Sequence, residues 1–117
     1  MKVVINSSYG PFSLSVEAHT LYAKLKGYNL IKDRNDDDDF WTFYKNEENE
    51  ENIIDDWLFD RSDPYLVQVV ETLGEKSSHG KNCKLKVVEI PDGIKWYIDN
   101  REQGGGEWVA ERHRTWN

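Results

Sequence analysis

Few residues in this chain are able to do chemistry, and they are scattered. His19, His79 and His113 each lack a second ligand at metal-ligand spacing, so no zinc site is expected. Asp55, Asp56, Asp60 and Asp63 do not follow the spacing of a calcium loop and read as solvated carboxylates. Cys83, the single cysteine, stands beside Lys84 and reads as a small apolar filler; it excludes an internal disulfide and any cysteine-based zinc cluster. There is no Gly-x-Ser-x-Gly elbow, no phosphate loop ending in Gly-Lys-Ser/Thr and no dinucleotide Gly-x-Gly-x-x-Gly. Gly104-Gly105-Gly106 lacks a following helix and reads as a loop. The expectation is a protein with no catalytic residues, no metal and no cofactor.

Binding chemistry is easier to place. Of the five tryptophans, Trp41, Trp57 and Trp96 sit in apolar contexts and are expected in the core, whereas Trp108 and Trp116 lie near a charged tail where they can stack on a ligand or partner. Arg112 and Arg114 around His113, with Trp116 nearby, form a cationic cluster beside an aromatic ring and are the best anion-binding candidate. Two other stretches, Asn6-Ser7-Ser8-Tyr9 and Arg61-Ser62-Asp63, follow strand candidates and lead into helix N-termini, where free N–H groups and the helix dipole favour an anion. With parallel strands these segments would meet in one polar site made of Asn6, Ser7, Ser8, Tyr9, Arg61, Asp63, Arg112, His113, Arg114 and Trp116. The competing reading is that these charges pair with the protein's own acids.

The elements that must position such a site are legible in order. Lys2 to Asn6 reads as a strand buried on both faces. Ser13 or Ser15 can cap a helix whose apolar face holds Leu14, Ala18, Leu21, Tyr22 and Leu25, closed by Gly27. Tyr28–Lys32 and Phe40–Lys45 are strand candidates, separated by the acidic run Asp33 to Asp39, which reads as a solvated loop, as does Asn46 to Asn52. Ile53 to Phe59 fits a short strand or turn. The clearest element is the helix after Asp63, with Pro64 at its first position, Leu66, Val69, Val70 and Leu73 on one face, and Gly74 in the left-handed conformation at its end. Lys84–Ile90 and Ile94–Asp99 flank Pro91-Asp92-Gly93 and predict a tight hairpin, and Glu107–Glu111 adds an edge strand. The fold class is therefore α+β, two helices packed on a mainly antiparallel sheet in the order β-α-β-β-α-β-β, as a single domain over 1–117.

The net charge of −7 is unevenly spread: residues 33–63 hold 13 of the 22 acids and only three bases, Arg34, Lys45 and Arg61. Such a segment repels phosphate backbones, so no direct nucleic acid contact is expected. No apolar run reaches the ~20 residues that span a bilayer, and no signal peptide is expected at the start, so the reading is a soluble intracellular protein with no membrane contact.

Three stretches together resemble a widespread family of small bacteriophage accessory proteins: Val3-Val4-Ile5-Asn6 with Tyr9-Gly10-Pro11-Phe12-Ser13-Leu14-Ser15, then Arg61-Ser62-Asp63-Pro64 with Val69-Val70-Glu71-Thr72-Leu73-Gly74, then Ala110-Glu111-Arg112-His113-Arg114-Thr115-Trp116. The likeness covers most of the chain except residues 33–59, and the family commonly has a second glycine where this chain has Pro11. The resemblance implies a phage product acting in the host cytoplasm, against host defence. Two functions follow from it as expectations. One is sequestration of a small nucleotide-derived immune signal; the other is inhibition of a host defence protein by an acidic, nucleic-acid-like surface. Homo-oligomerisation is left open.

Overall fold

The computed structural model describes residues 1–35, 40–100 and 106–112. Asp36 to Asp39, Gly104, Gly105 and the tail residues His113, Arg114 and Trp116, all singled out above, lie outside the described residues. The architecture is α+β: strand β1 (Lys2–Asn6), helix α1 (Val16–Lys26), strands β2 (Leu30–Asn35) and β3 (Phe40–Lys45), helix α2 (Pro64–Leu73), and strands β4 (Leu85–Glu89), β5 (Trp96–Asn100) and β6 (Glu107–Glu111). Short 3-10 turns occur at Glu50–Asn52, Asp56–Leu58 and Gly74–Ser77.

The strands pair two by two, always antiparallel: β1 with β4, β2 with β3, and β5 with β6. This corrects the expected hairpin at Pro91-Asp92-Gly93, since β4 and β5 are strands but not partners. The reason is burial. Val3, Val4 and Ile5 are almost wholly buried, and lie opposite Val88, Val87 and Lys86. The apolar β1 thus takes β4, and β5 finds its ladder with β6. The end of β4 is fastened to the first residue instead, with Ile90 N–H donating to the Met1 carbonyl at 2.8 Å and the Met1 amino group 2.7 Å from Asp92 Oδ1. Residues 33–35, expected in a loop, extend β2.

Both helices begin on the predicted caps. Ser15 Oγ accepts from Ala18 N–H at 3.0 Å, Asp63 Oδ1 accepts from Tyr65 N–H at 2.9 Å, and Gly27 ends α1 at φ 83°. Gly74 departs from expectation: at φ 57°, ψ −124° it is outside the left-handed helical region, and the chain continues into a 3-10 turn. An apolar core joins β1, the two helices and β4, formed by Val4 of β1, Leu14, Ala18 and Tyr22 from the α1 region, Leu66, Val67, Val69 and Val70 of α2, and Cys83 and Leu85 beside and in β4. No helix among the described residues is long and apolar enough to cross a membrane.

Candidate functional site

The first loop is built around a side chain expected to meet a ligand. Asn6 is fully buried: its Nδ2 donates to the Gly10 carbonyl at 2.7 Å, and its Oδ1 accepts from Ser8 N–H at 3.0 Å and Lys84 N–H at 2.9 Å. Ser7 is tied to the Lys84 carbonyl through both its N–H and its hydroxyl. Tyr9 is 68% exposed. Gly10 comes so close to the next loop that an added Cβ would sit 2.5 Å from the Asn82 carbonyl oxygen. Only glycine fits there without displacing backbone.

Arg61 forks onto Glu107, with Nη1 at 2.7 Å from Oε1 and Nη2 at 3.1 Å from Oε2, while its guanidinium lies 3.7 Å from the Phe12 ring centre. Glu107 Oε1 also accepts from Asn6 N–H at 2.7 Å. Asp63 both caps α2 and accepts from the Tyr22 hydroxyl at 2.5 Å. Burial, together with that carboxylate, drives the Tyr22 phenol well above its usual range. Each of these polar groups is therefore occupied within the fold.

The structure brings Asn6, Ser7 and Arg61 to one junction, around Glu107 and the closely packed Gly106, but among the described residues Arg112 does not join it. Arg112 lies five residues beyond Glu107 along β6 and its direct extension, about 17 Å at the rise of a strand, with its guanidinium 5.4 Å from the Tyr97 ring. The helices also run in opposite directions. Ser15, the cap of α1, donates from its backbone to the Ser77 carbonyl just past α2, whereas Lys26 at the far end of α1 lies 5.1 Å from the ring of Tyr65 at the start of α2. The two helix N-termini are thus a helix length apart, about 15 Å, and cannot share one anion.

A cavity of about 710 Å³ opens elsewhere. One wall is the loop from Pro11 to Leu14 with Val16, a second is Trp41, Thr42 and Phe43 of β3 with Ile53 to Asp56, and a third is the loop from His79 to Cys83. None of the seven described residues among those expected to bind a ligand lines it. The aromatic-rich strand gives it a stacking wall: Trp41 and Phe43 are ring-stacked at 6.5 Å, and Arg34 lies 5.9 Å from the Trp41 ring centre. Lys81 and His79 contribute a cation and a titratable donor, Asp55 and Asp56 two carboxylates. Cys83 is buried, with its Sγ 3.4 Å from the Ser13 carbonyl and its thiol pushed up by that burial.

Behind this cavity stands His19, which the sequence reading set aside. It is fully buried in α1, stacked on Phe43 at 3.9 Å and edge-on to Phe59 at 6.0 Å. Its Nε2 is 2.7 Å from Asp56 Oδ1, yet off the N–H axis, so this is a close polar contact and not an in-line hydrogen bond; Nδ1 has no hydrogen-bond partner. Asp56 Oδ2 accepts from Leu14 N–H at 2.9 Å. One carboxylate thus joins the first loop, α1 and the 56–58 turn at the cavity wall. The available signal was spacing: His19 precedes Tyr22 and Ala23 by three and four residues, and both are buried. No group of three or more His, Cys, Asp or Glu among the described residues is placed to hold a metal ion.

No family profile matches the chain, and no curated protein or solved structure is significantly similar to it. The functional reading rests on the geometry and on the resemblance noted above.

The tryptophans also depart from expectation: Trp41 and Trp96, expected in the core, are only half-buried, and Trp57 is 73% exposed, beside Leu58 at 64%.

Proposed function

We propose that this protein is a small-molecule-binding module of a phage accessory type, which captures a nucleotide-derived signal in the host cytoplasm and withholds it without converting it. The observation that carries the reading is the 710 Å³ cavity with an aromatic wall on β3 and Lys81 on the 79–83 loop. Its volume lies within the range of small-molecule sites, roughly 300–1,000 Å³. A nucleobase stacked on an aromatic side chain is held by about 1–3 kcal/mol per base, and a lysine ammonium suits a phosphate. Asp55 supplies an acceptor for an exocyclic amine or a ribose hydroxyl. Capture without turnover is supported by the state of the reactive groups. The His19 imidazole is sealed behind Asp56 and Phe43, and burial keeps the Cys83 thiol from ionising readily.

The anion site moves, in this reading, from the helix N-termini and tail to the cavity, because Arg61 and Asp63 are already engaged. Native mass spectrometry of the protein recovered from defence-active cells tests it. A retained small molecule that Trp41→Ala releases is expected; bare protein, or a co-purifying macromolecule in its place, contradicts it.

A further inference from the structure

The 3-10 turn Asp56–Leu58 presents a surface that the cavity does not use. With three residues per turn, positions i and i+3 eclipse, so Asp56 and Phe59 face inward together and Trp57 and Leu58 face out. The inward pair is firmly held. Asp56 contacts His19 and Leu14, and Phe59 packs edge-on against Tyr22 at 4.9 Å. The exposed tryptophan and leucine therefore stand on a pinned backbone, as a preorganised anchor stands, and cannot fold back without breaking that packing.

Charge decides what covers them. Residues 46–60 carry seven carboxylates and no base, and Glu47, Glu48, Glu50, Glu51 and Asp60 are all exposed. Arg61, the next residue, is neutralised by Glu107. We infer that Trp57 and Leu58 are the anchor of a docking surface for a basic protein segment, one that offers an apolar socket flanked by lysine or arginine. A second copy of this chain pairing through the same patch would set these acids against each other, and nucleic acid or an anionic lipid surface would be repelled. The proposal stands apart from the cavity: Trp57 and Leu58 do not line it.

The test pans a random dodecapeptide library against the wild-type protein, with counter-selection on Trp57→Ala. Expected are peptides rich in Lys and Arg with an aliphatic or aromatic residue, whose fluorescence-anisotropy affinity falls at least tenfold for Trp57→Ala, falls for Leu58→Ala, and weakens as salt is raised from 50 to 300 mM. Both side chains are exposed, and circular dichroism of each variant should match wild type. Peptides without basic residues, no enrichment, or affinities indifferent to Trp57 and Leu58 overturn the proposal. So does a dimer in sedimentation equilibrium that Trp57→Ala dissolves, which would make the occupant a second copy, or co-sedimentation with phosphatidylserine vesicles.

Discussion

Replacing Asp56 by asparagine removes one charge and leaves the shape nearly unchanged. The amide oxygen can still accept from Leu14 N–H, so the tie between the first loop and the 56–58 turn survives. What is lost is the carboxylate 2.7 Å from His19 Nε2. A polar contact within a fold is worth about 1 kcal/mol net, whereas a buried polar group left without its partner costs about 1–3 kcal/mol. With His19 fully buried and Asp56 21% exposed, the cost is about 2 kcal/mol. That corresponds to a fall in Tm of about 8 °C for a domain of this size. His19→Phe keeps the stack on Phe43 and removes both ring nitrogens, so after it Asp56→Asn should cost much less. Urea unfolding of the four proteins in this cycle should give a coupling of about 1–2 kcal/mol. A coupling near zero, with Asp56→Asn as stable as wild type in both backgrounds, would refute the energetic link between histidine and aspartate.

Other consequences can be measured on the same protein. Glu107→Ala leaves Arg61, only 14% exposed, without its fork and strips Asn6 N–H of its acceptor; the loss in urea should be about 3 kcal/mol, and the double variant Arg61→Leu, Glu107→Leu should recover much of it. Gly106→Ala meets a backbone at φ 86° and puts a Cβ 2.6 Å from the Ser7 carbonyl oxygen, so a loss above about 1–2 kcal/mol is expected by thermal unfolding. Burial pushes Tyr28 from 10.0 up to about 12. Because the folded value is the higher one, its contribution is complete below pH 10 and is lost as the pH rises through about 12. Phenolate absorbance should show a step near pH 12 that Tyr28→Phe removes, leaving Tyr22, which ionises later still.

What the sequence revealed were features set by neighbouring residues. The caps Ser15 and Asp63, the glycine after α1 and the apolar face of α2 were readable because capping and helical periodicity act within a few positions. The strand at 85–89 was readable for the same reason, but its partner was not: β1 lies over eighty residues away, and turn chemistry at 91–93 could not disclose that competitor. Trp57 departs from the core because its apolar neighbours Ile53, Ile54, Leu58 and Phe59 suggest a buried context, whereas the 3-10 turn Asp56–Leu58 directs Trp57 and Leu58 outward. The predicted polar site presupposed parallel strands. Antiparallel helices separate its helix N-termini, and Glu107, invisible as a partner at a distance of 46 residues, occupies Arg61. The cavity draws its walls from four separate segments, none carrying a recognisable motif.

Isothermal titration with a panel of nucleoside monophosphates, dinucleotides and cyclic dinucleotides addresses the central claim most directly, run on wild type, Trp41→Ala, Lys81→Ala and Arg112→Ala. At least one ligand should bind wild type one to one, lose at least tenfold in affinity with either cavity variant, and bind Arg112→Ala as it binds wild type. If no member of the panel binds, or if binding survives in both cavity variants and vanishes in Arg112→Ala, the cavity is not the site and the reading fails.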